Sequence, residues 1–203
     1  MRLILKIAII LALIATFATF LSLVSEKDIL RNNLIRLHVV ADSDSAQDQS
    51  MKLQVRDAVL SFVQNQLASI PDAEAAKAFL SENLKELETV ANETLAAIGS
   101  TDTAKVTLEE ECFPMREYDT FSLPSGVYES LRVTIGSGAG KNWWCVVFPA
   151  LCVGAVTEEF QQTAATAGFS DTLTDTLAGE DGYEISFFLL DCLGKLENFF
   201  HLH

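Results

Sequence analysis

The sequence predicts an α+β protein: an antiparallel or mixed sheet packed with two to three helices, preceded by an N-terminal hydrophobic leader helix. Three observations carry that reading. Residues 7–25 form a long run without a single charge, apolar residues recur at helical spacing over 46–98, and strand patterns follow one another from 105 to 148. Helices grouped ahead of most of the strands suit an α+β arrangement better than alternating βα units.

The leader comes first. Arg2 and Lys6 make a short basic start, and Ile7 to Ser25 is uncharged. At 1.5 Å per residue such a helix is roughly 28 Å long, close to the ~30 Å hydrocarbon core of a bilayer. It is longer than a minimal signal-peptide core, and no clean Ala-x-Ala site follows it. Residues 1–25 are therefore expected as a signal peptide or a membrane anchor, with both readings open. In either case the basic end stays in the cytoplasm, so residues 26–203 are expected as a single extracytoplasmic domain.

That body keeps 12 of the 14 Lys and Arg residues and all 28 Asp and Glu, for a formal charge of 12 − 28 = −16. A polyanion of this kind does not gather nucleic acid or anionic lipid on its surface. The acid is uneven: Asn142 to Gly194 has no Lys or Arg, while Glu158, Glu159, Asp171, Asp175, Glu180, Asp181, Glu184 and Asp191 all fall there.

Within the body, Leu34 to Val40 alternates, with Ile35, Leu37 and Val39 on one side and Arg36 and His38 on the other, as in a half-buried strand. Ser45-x-x-Asp48 has the form of a capping box, which starts a helix near Ala46 that runs to about Leu67. Met51, Val55, Ala58, Val59 and Phe62 make its main apolar face, and Leu53, Leu60 and Leu67 lie nearly opposite. A helix apolar on two sides is expected to pack on two sides. Pro71 opens a second helical region that ends at Gly99, with a break near Ser81 allowed. Strands are expected at Lys105–Cys112, Tyr128–Ile135 and Asn142–Phe148. Gly154 to Gly182 is rich in Thr, Ala and acid and poor in large apolar residues, so a mobile acidic loop is expected near 154–182. The apolar tail from Ile185 fits either a strand or a helix.

Candidate chemistry is sparse. Gly136-Ser-Gly-Ala-Gly140-Lys141 invites a phosphate-loop reading, but Ile135 stands where that loop needs glycine and Asn142 where it needs Ser or Thr. A glycine-rich hairpin turn explains it better. Asp42-Ser-Asp44 at a strand end has the form of a phosphoryl-transfer Asp-x-Asp, yet the same residues serve a helix entry, where carboxylates and hydroxyls satisfy free N–H groups. As a calcium loop it lacks a third ligand at Ala46. Cys145 with His38 could be written as a thiol hydrolase. His201-x-His203 is a weak metal spacing at the chain end, and no metal or cofactor is expected.

Four cysteines allow three disulfide connectivities. Cys145 and Cys152 bracket a short loop containing Pro149, and export would let them oxidise, so this pair is favoured. Cys112 and Cys192 are then left for each other or as buried thiols. Trp143 and Trp144, both tryptophans of the chain, are adjacent in a strand and must point to opposite faces. One is expected in the core and the other at a partner.

Several long motifs occur together: Ile35-Arg-Leu-His-Val-Val-Ala-Asp-Ser-Asp-Ser45-Ala-Gln-Asp-Gln49, Lys52-Leu-Gln-Val-Arg56-Asp57, Phe113-Pro114, Leu123-Pro-Ser-Gly-Val-Tyr-Glu129, and Gly138-x-Gly140-x-Asn142-Trp-Trp-Cys-Val-Val-Phe-Pro-x-Leu-Cys152. In this order they resemble the stage II sporulation protein R family of endospore-forming bacteria, over roughly residues 34–153. The resemblance implies a secreted signalling protein, not an enzyme. Such a protein is made in the forespore and released into the space between the two septal membranes, unless the leader keeps it membrane-anchored. There it activates a membrane-embedded aspartic protease of the mother cell, so that a sigma-factor precursor is processed. The motif positions Arg36, Asp42, Ser43, Asp44, Asp48, Asn142, Trp143 and Trp144 are candidates for partner contact or for the motif's own structure, with the aspartates expected to shape the helix entry, and no small-molecule substrate is expected. The competing reading is an exported hydrolase using Asp42/Asp44 or Cys145.

Overall fold

The computed structural model describes residues 2–151, 157–179 and 184–202, apart from the side chains of 157–159. Among these residues the fold is α+β, with a four-stranded mixed sheet and seven helices. Helix α1 spans Arg2–Asn33, followed by β1 (Ile35–Val40), α2 (Ala46–Leu67), α3 (Ala73–Glu82) and α4 (Leu84–Ala97). Next come β2 (Ala104–Phe113), a small ribbon of β3 (Arg116–Glu117) and β4 (Ser122–Leu123), then β5 (Gly126–Ile135) and β6 (Asn142–Phe148). Helices α5 (Thr157–Thr166), α6 (Asp171–Ala178) and α7 (Glu184–His201) complete the chain.

The sheet order is β2-β5-β1-β6. β1 runs parallel to β5 and antiparallel to β6, and β2 is antiparallel to β5. The first strand of the body is thus inserted between the last two. This corrects the hairpin expected at the glycines: β5 and β6 are not neighbours, and Gly136–Lys141 must arch over the end of β1, a step of two strand spacings or roughly 10 Å.

One face of the sheet carries an apolar core. Ile35, Leu37 and Val39 of β1 meet Val55, Val59 and Val63 of α2, Leu80 of α3 and Leu87, Ala91 and Leu95 of α4. Helix α2 starts where the sequence places it, with the Ser45 hydroxyl accepting from the Asp48 N–H at 3.0 Å. The break expected near Ser81 falls at Asn83, which ends α3 and precedes α4. Helix α4 also shields the edge strand: the Asn92 side chain exchanges bonds of 2.8 and 3.0 Å with the Ala104 backbone, replacing a missing ladder partner.

The other face is covered too, so β1 is buried on both sides rather than half-buried, with Arg36 0% exposed and His38 also buried. The cover includes Leu30 and Leu34 after the leader, Leu123 of the ribbon, Phe160, Ala164, Leu173, Leu177 and Leu190 from the last three helices, and Phe169 between α5 and α6. The mobile acidic loop expected near 154–182 is corrected here. Residues 157–166 and 171–178 are helices, and Ser170 caps α6 by accepting from the Leu173 N–H. Phe160, Phe169, Leu173 and Leu177 suffice because each is buried in the cluster that holds Phe113, Phe121 and Tyr128, where Phe160 stacks on Phe121 at 4.7 Å.

Helix α1 does not stop at the end of the uncharged run. It continues through Glu26 to Asn33, where Lys27 pairs with Glu197 at 2.7 Å and Arg31 with Glu110 at 2.6 Å. Among the described residues α1 is the helix long and apolar enough to cross a membrane, and none of its most apolar 18-residue window is buried.

Candidate functional site

The end of β1 and the arch above it form one clamp. Asp42 Oδ1 accepts from the Ser137 N–H at 2.6 Å, and Asp44 Oδ1 from the Lys141 N–H at 2.8 Å. The Ser137 N–H, and then its hydroxyl, hold the Asp42 carboxyl below the usual carboxylate range. Ser43 Oγ donates to Asp48 at the start of α2, and Lys52 Nζ reaches the Lys141 carbonyl at 2.9 Å. The glycines belong to the same device. Gly136 has φ +56°, a left-handed conformation, and a Cβ there would collide with the Asp42 carboxylate, while one at Gly140 would collide with the Ser43 backbone. The Asp-x-Asp and the glycine run, distant in sequence, are therefore the two halves of one joint. Both carboxylates accept from backbone N–H groups of the arch, while the helix entry is capped by Ser45 rather than by either aspartate.

Beside the joint lies a polar and aromatic layer on the second face of the sheet. His38 stacks on Trp144 with ring centroids 3.8 Å apart. Its ring nitrogens stand 3.0 Å from Glu111 and 2.8 Å from Asn142. Burial disfavours an ionised Glu111, but its contacts with His38 and Arg132 outweigh that and hold the carboxyl below its ordinary range. Arg36 lies over the rings of Phe113 (4.0 Å) and Tyr128 (5.1 Å), and donates to the Tyr118 hydroxyl at 2.7 Å. Its Nε and Nη1 are buried with no hydrogen-bond partner, and burial pushes the guanidinium downward from its usual value.

The two tryptophans diverge as strand geometry requires. Trp144 faces this layer, also 4.8 Å from Phe113. Trp143 faces the α2 side, 37% exposed, beneath the guanidinium of Arg56 at 4.2 Å. Between β6 and the β3–β4 ribbon opens a groove of about 370 Å³, lined by Arg116, Tyr118, Phe121, Asn142, Trp143 and Trp144 among others. Trp, Tyr and Arg are the residue types that dominate binding energy at protein interfaces. Their concentration here stands out against a body of −16.

Of the sequence-predicted residues, Asn142, Trp143 and Trp144 line the groove. Asp42, Ser43, Asp44 and Asp48 form the joint behind it, and Arg36 is internal. Arg116, Tyr118 and Phe121 were missed, because the ribbon carrying them has no periodic signal. Cys145 is buried on the first face, in register with Leu37, while His38 is in register with Trp144 and points the other way. A Cys145–His38 dyad is therefore ruled out by the pleat. The expected partner of Cys145, Cys152, lies outside the described residues. Cys112 and Cys192 are free thiols, half-buried and exposed respectively, so they are not joined to each other.

Fold and groove together define a class: an α+β domain carrying a groove lined by aromatic and arginine side chains, attached to an N-terminal helix long enough to span a bilayer. The family model described as stage II sporulation protein R matches residues 31–158. A relative of Bacillus subtilis (strain 168), "Stage II sporulation protein R", is 32% identical over 186 residues, covering 83% of each chain. The chain belongs to the stage II sporulation protein R family, which places it in sporulation. No solved structure matches it.

Proposed function

We propose that the chain is an exported, non-catalytic sporulation signal that switches on a membrane-embedded aspartic protease of the mother cell by binding it through the groove. Family membership supports the process, and α1 supports the extracytoplasmic placement. The observation that carries the binding role is the groove itself, where Trp143, Trp144, Tyr118 and Arg116 gather on an otherwise acidic body. A ligand of this kind acts by preferring the active state of its partner. The signalling reading is favoured over the hydrolase reading because Asp42 Oδ1 and Asp44 Oδ1 each accept a backbone N–H of the arch and Cys145 faces away from His38.

Co-reconstitution of the purified chain with the protease in vesicles, reading cleavage of the sigma-factor precursor, tests the proposal. Trp143→Ala is expected to lower activation at least tenfold while stability falls by no more than ~1 kcal/mol, the value of an exposed cation–π contact. Full activation by Trp143→Ala and by Arg116→Ala would place the contact surface elsewhere. Failure of the wild-type chain to stimulate cleavage would reject the signalling role.

A further inference from the structure

The body has five arginines, and three of them hold a carboxylate. Arg31 pairs with Glu110 at 2.6 Å, Arg56 with Asp57 at 2.6 Å and Arg132 with Glu111 at 2.7 Å. Arg36 and Arg116 pair with none among the described residues, although the body carries 28 Asp and Glu. Both strand a buried donor: Nε and Nη1 of Arg36, and Nε of Arg116. Burial and, more weakly, the nearby charge of Arg116 disfavour the Arg36 cation. A guanidinium enclosed without a counter-ion in so acidic a chain is costly and needs a reason.

Both arginines serve the groove between β6 and the β3–β4 ribbon. Arg116 lines it directly, with its guanidinium 5.4 Å from the centre of the Trp144 ring. Arg36 reaches it through Tyr118, another lining residue, whose hydroxyl accepts from Nη2 at 2.7 Å. A phenol that accepts one hydrogen bond keeps its own proton to donate, and a charged donor behind it strengthens that second bond. Among the described residues the Tyr118 proton meets no acceptor. The groove thus offers a guanidinium and a polarised hydroxyl between the two tryptophans. Glu117 and Asp119 also line it, at exposed positions. There they repel a ligand of several negative charges, which disfavours nucleic acid and anionic lipid and leaves a place for one carboxylate.

We propose that the groove takes a single Asp or Glu side chain on an extended, otherwise apolar segment of the partner protein. Arg116 is its counter-ion and the Tyr118 hydroxyl its second donor. Arg36 is a positioning residue, which holds and polarises that hydroxyl from behind. The incoming carboxylate meets donors that no group of this chain satisfies, and a charge-assisted bond made there is stronger than a neutral one. That the segment belongs to the membrane-embedded protease rests on the function proposed above; the chemistry of the groove does not.

Trp143 and Trp144 are the only tryptophans of the chain and both line the groove, so intrinsic fluorescence reports its occupancy. The full-length chain in neutral detergent is titrated with the blocked peptide acetyl-Leu-Glu-Leu-amide and with its Gln counterpart. The Glu peptide is expected to bind roughly tenfold more tightly or better, as a bond to a charged group does against a neutral one. Arg116→Met is expected to abolish that preference, and Arg116→Lys to keep part of it, since the charge remains without the planar fork. Arg36→Met is expected to lower the preference about threefold through the Tyr118 hydroxyl while stability in denaturant holds, a split that a merely structural role would not produce. Full preference in Arg36→Met would overturn the part given to Arg36. Equal affinity for the two peptides, binding of neither, or an undiminished preference in Arg116→Met would overturn the proposal, even in a chain that stimulates the protease. A Glu preference that is lost with Arg116, in a chain that does not stimulate the protease, would uphold the ligand and reject the named partner.

Discussion

The two faces of the sheet are built on different physics. The first packs aliphatic side chains from α2, α3 and α4 onto Leu37, Val39, Leu131 and Val133, with each residue's burial following from its period. The second stacks rings, guanidinium groups and an imidazole, and takes its cover from both ends of the chain. The first face makes the domain stable. The second carries the groove, and its polar groups restrict which packing is acceptable, since each buried donor or acceptor needs a partner.

The largest effect that could break this comparison is at α5. Phe160 is as fully buried as Leu80 of the first face. Phe160→Ala is expected to cost ~3–5 kcal/mol and Leu80→Ala ~2–5 kcal/mol in denaturant unfolding. A loss below ~1 kcal/mol at Phe160 would mean that the second face is a loose cover rather than a core.

Next in size is the cysteine pair that leaves β6. We propose that Cys145 and Cys152 are joined, which by loop closure over eight residues contributes about 2–3 kcal/mol. Thiol labelling of non-reduced, denatured protein is expected to modify Cys112 and Cys192 alone. Labelling at 145 and 152 would dismiss the bond.

Asp191 sharpens the contrast through pH. Burial works against its ionised form, but the bonds from Lys195 and Ser125 prevail and hold the carboxyl below its ordinary range. A depressed carboxylate stabilises the fold above the unfolded pKa of about 4, and that contribution fades as pH falls through the lower folded value. Asp191→Ala should cost ~1–3 kcal/mol at neutral pH by stranding the Ser125 donors, and should flatten the acid limb of the stability curve. An unchanged acid limb would show that the ionised carboxylate has no part in docking α7.

The smallest effect is predicted at the most unusual residue. Arg36 is enclosed without a carboxylate, so its packing comes with an uncompensated desolvation cost. Arg36→Met keeps the volume between Phe113 and Tyr128, and is expected to change stability by less than ~1 kcal/mol or to raise it. A loss above ~2 kcal/mol would show that the guanidinium is held by interactions stronger than its two rings and the Tyr118 hydroxyl.

Much of the first face was legible in the sequence. The alternation at 35–40, the Ser45 cap and the apolar positions of 51–63 and 76–95 are local signals, and the structure uses them as they stand. The second face was not. Gly154–Gly182 reads as a loop because its helices are short and made largely of Thr and Ala, and only the aromatic wall they meet makes four apolar residues enough. The groove was half legible: Asn142, Trp143 and Trp144 declared themselves by composition, whereas Arg116 sits on a two-residue strand and Tyr118 and Phe121 in the turn after it, with no period to read.

What the sequence determined by itself were properties carried by near neighbours: the uncharged run, the caps, the helical and strand periods, and the opposed directions of Trp143 and Trp144. What only the tertiary structure decided was strand order. Inserting β1 between β5 and β6 buries Arg36 and His38, turns a presumed hairpin into an arch, and ties Asp42 and Asp44 to the Ser137 and Lys141 N–H groups, 95 and 97 residues away. Side-chain period depends on the geometry of one chain segment, while strand order depends on which distant segments exclude water best together. No local pattern records that second quantity.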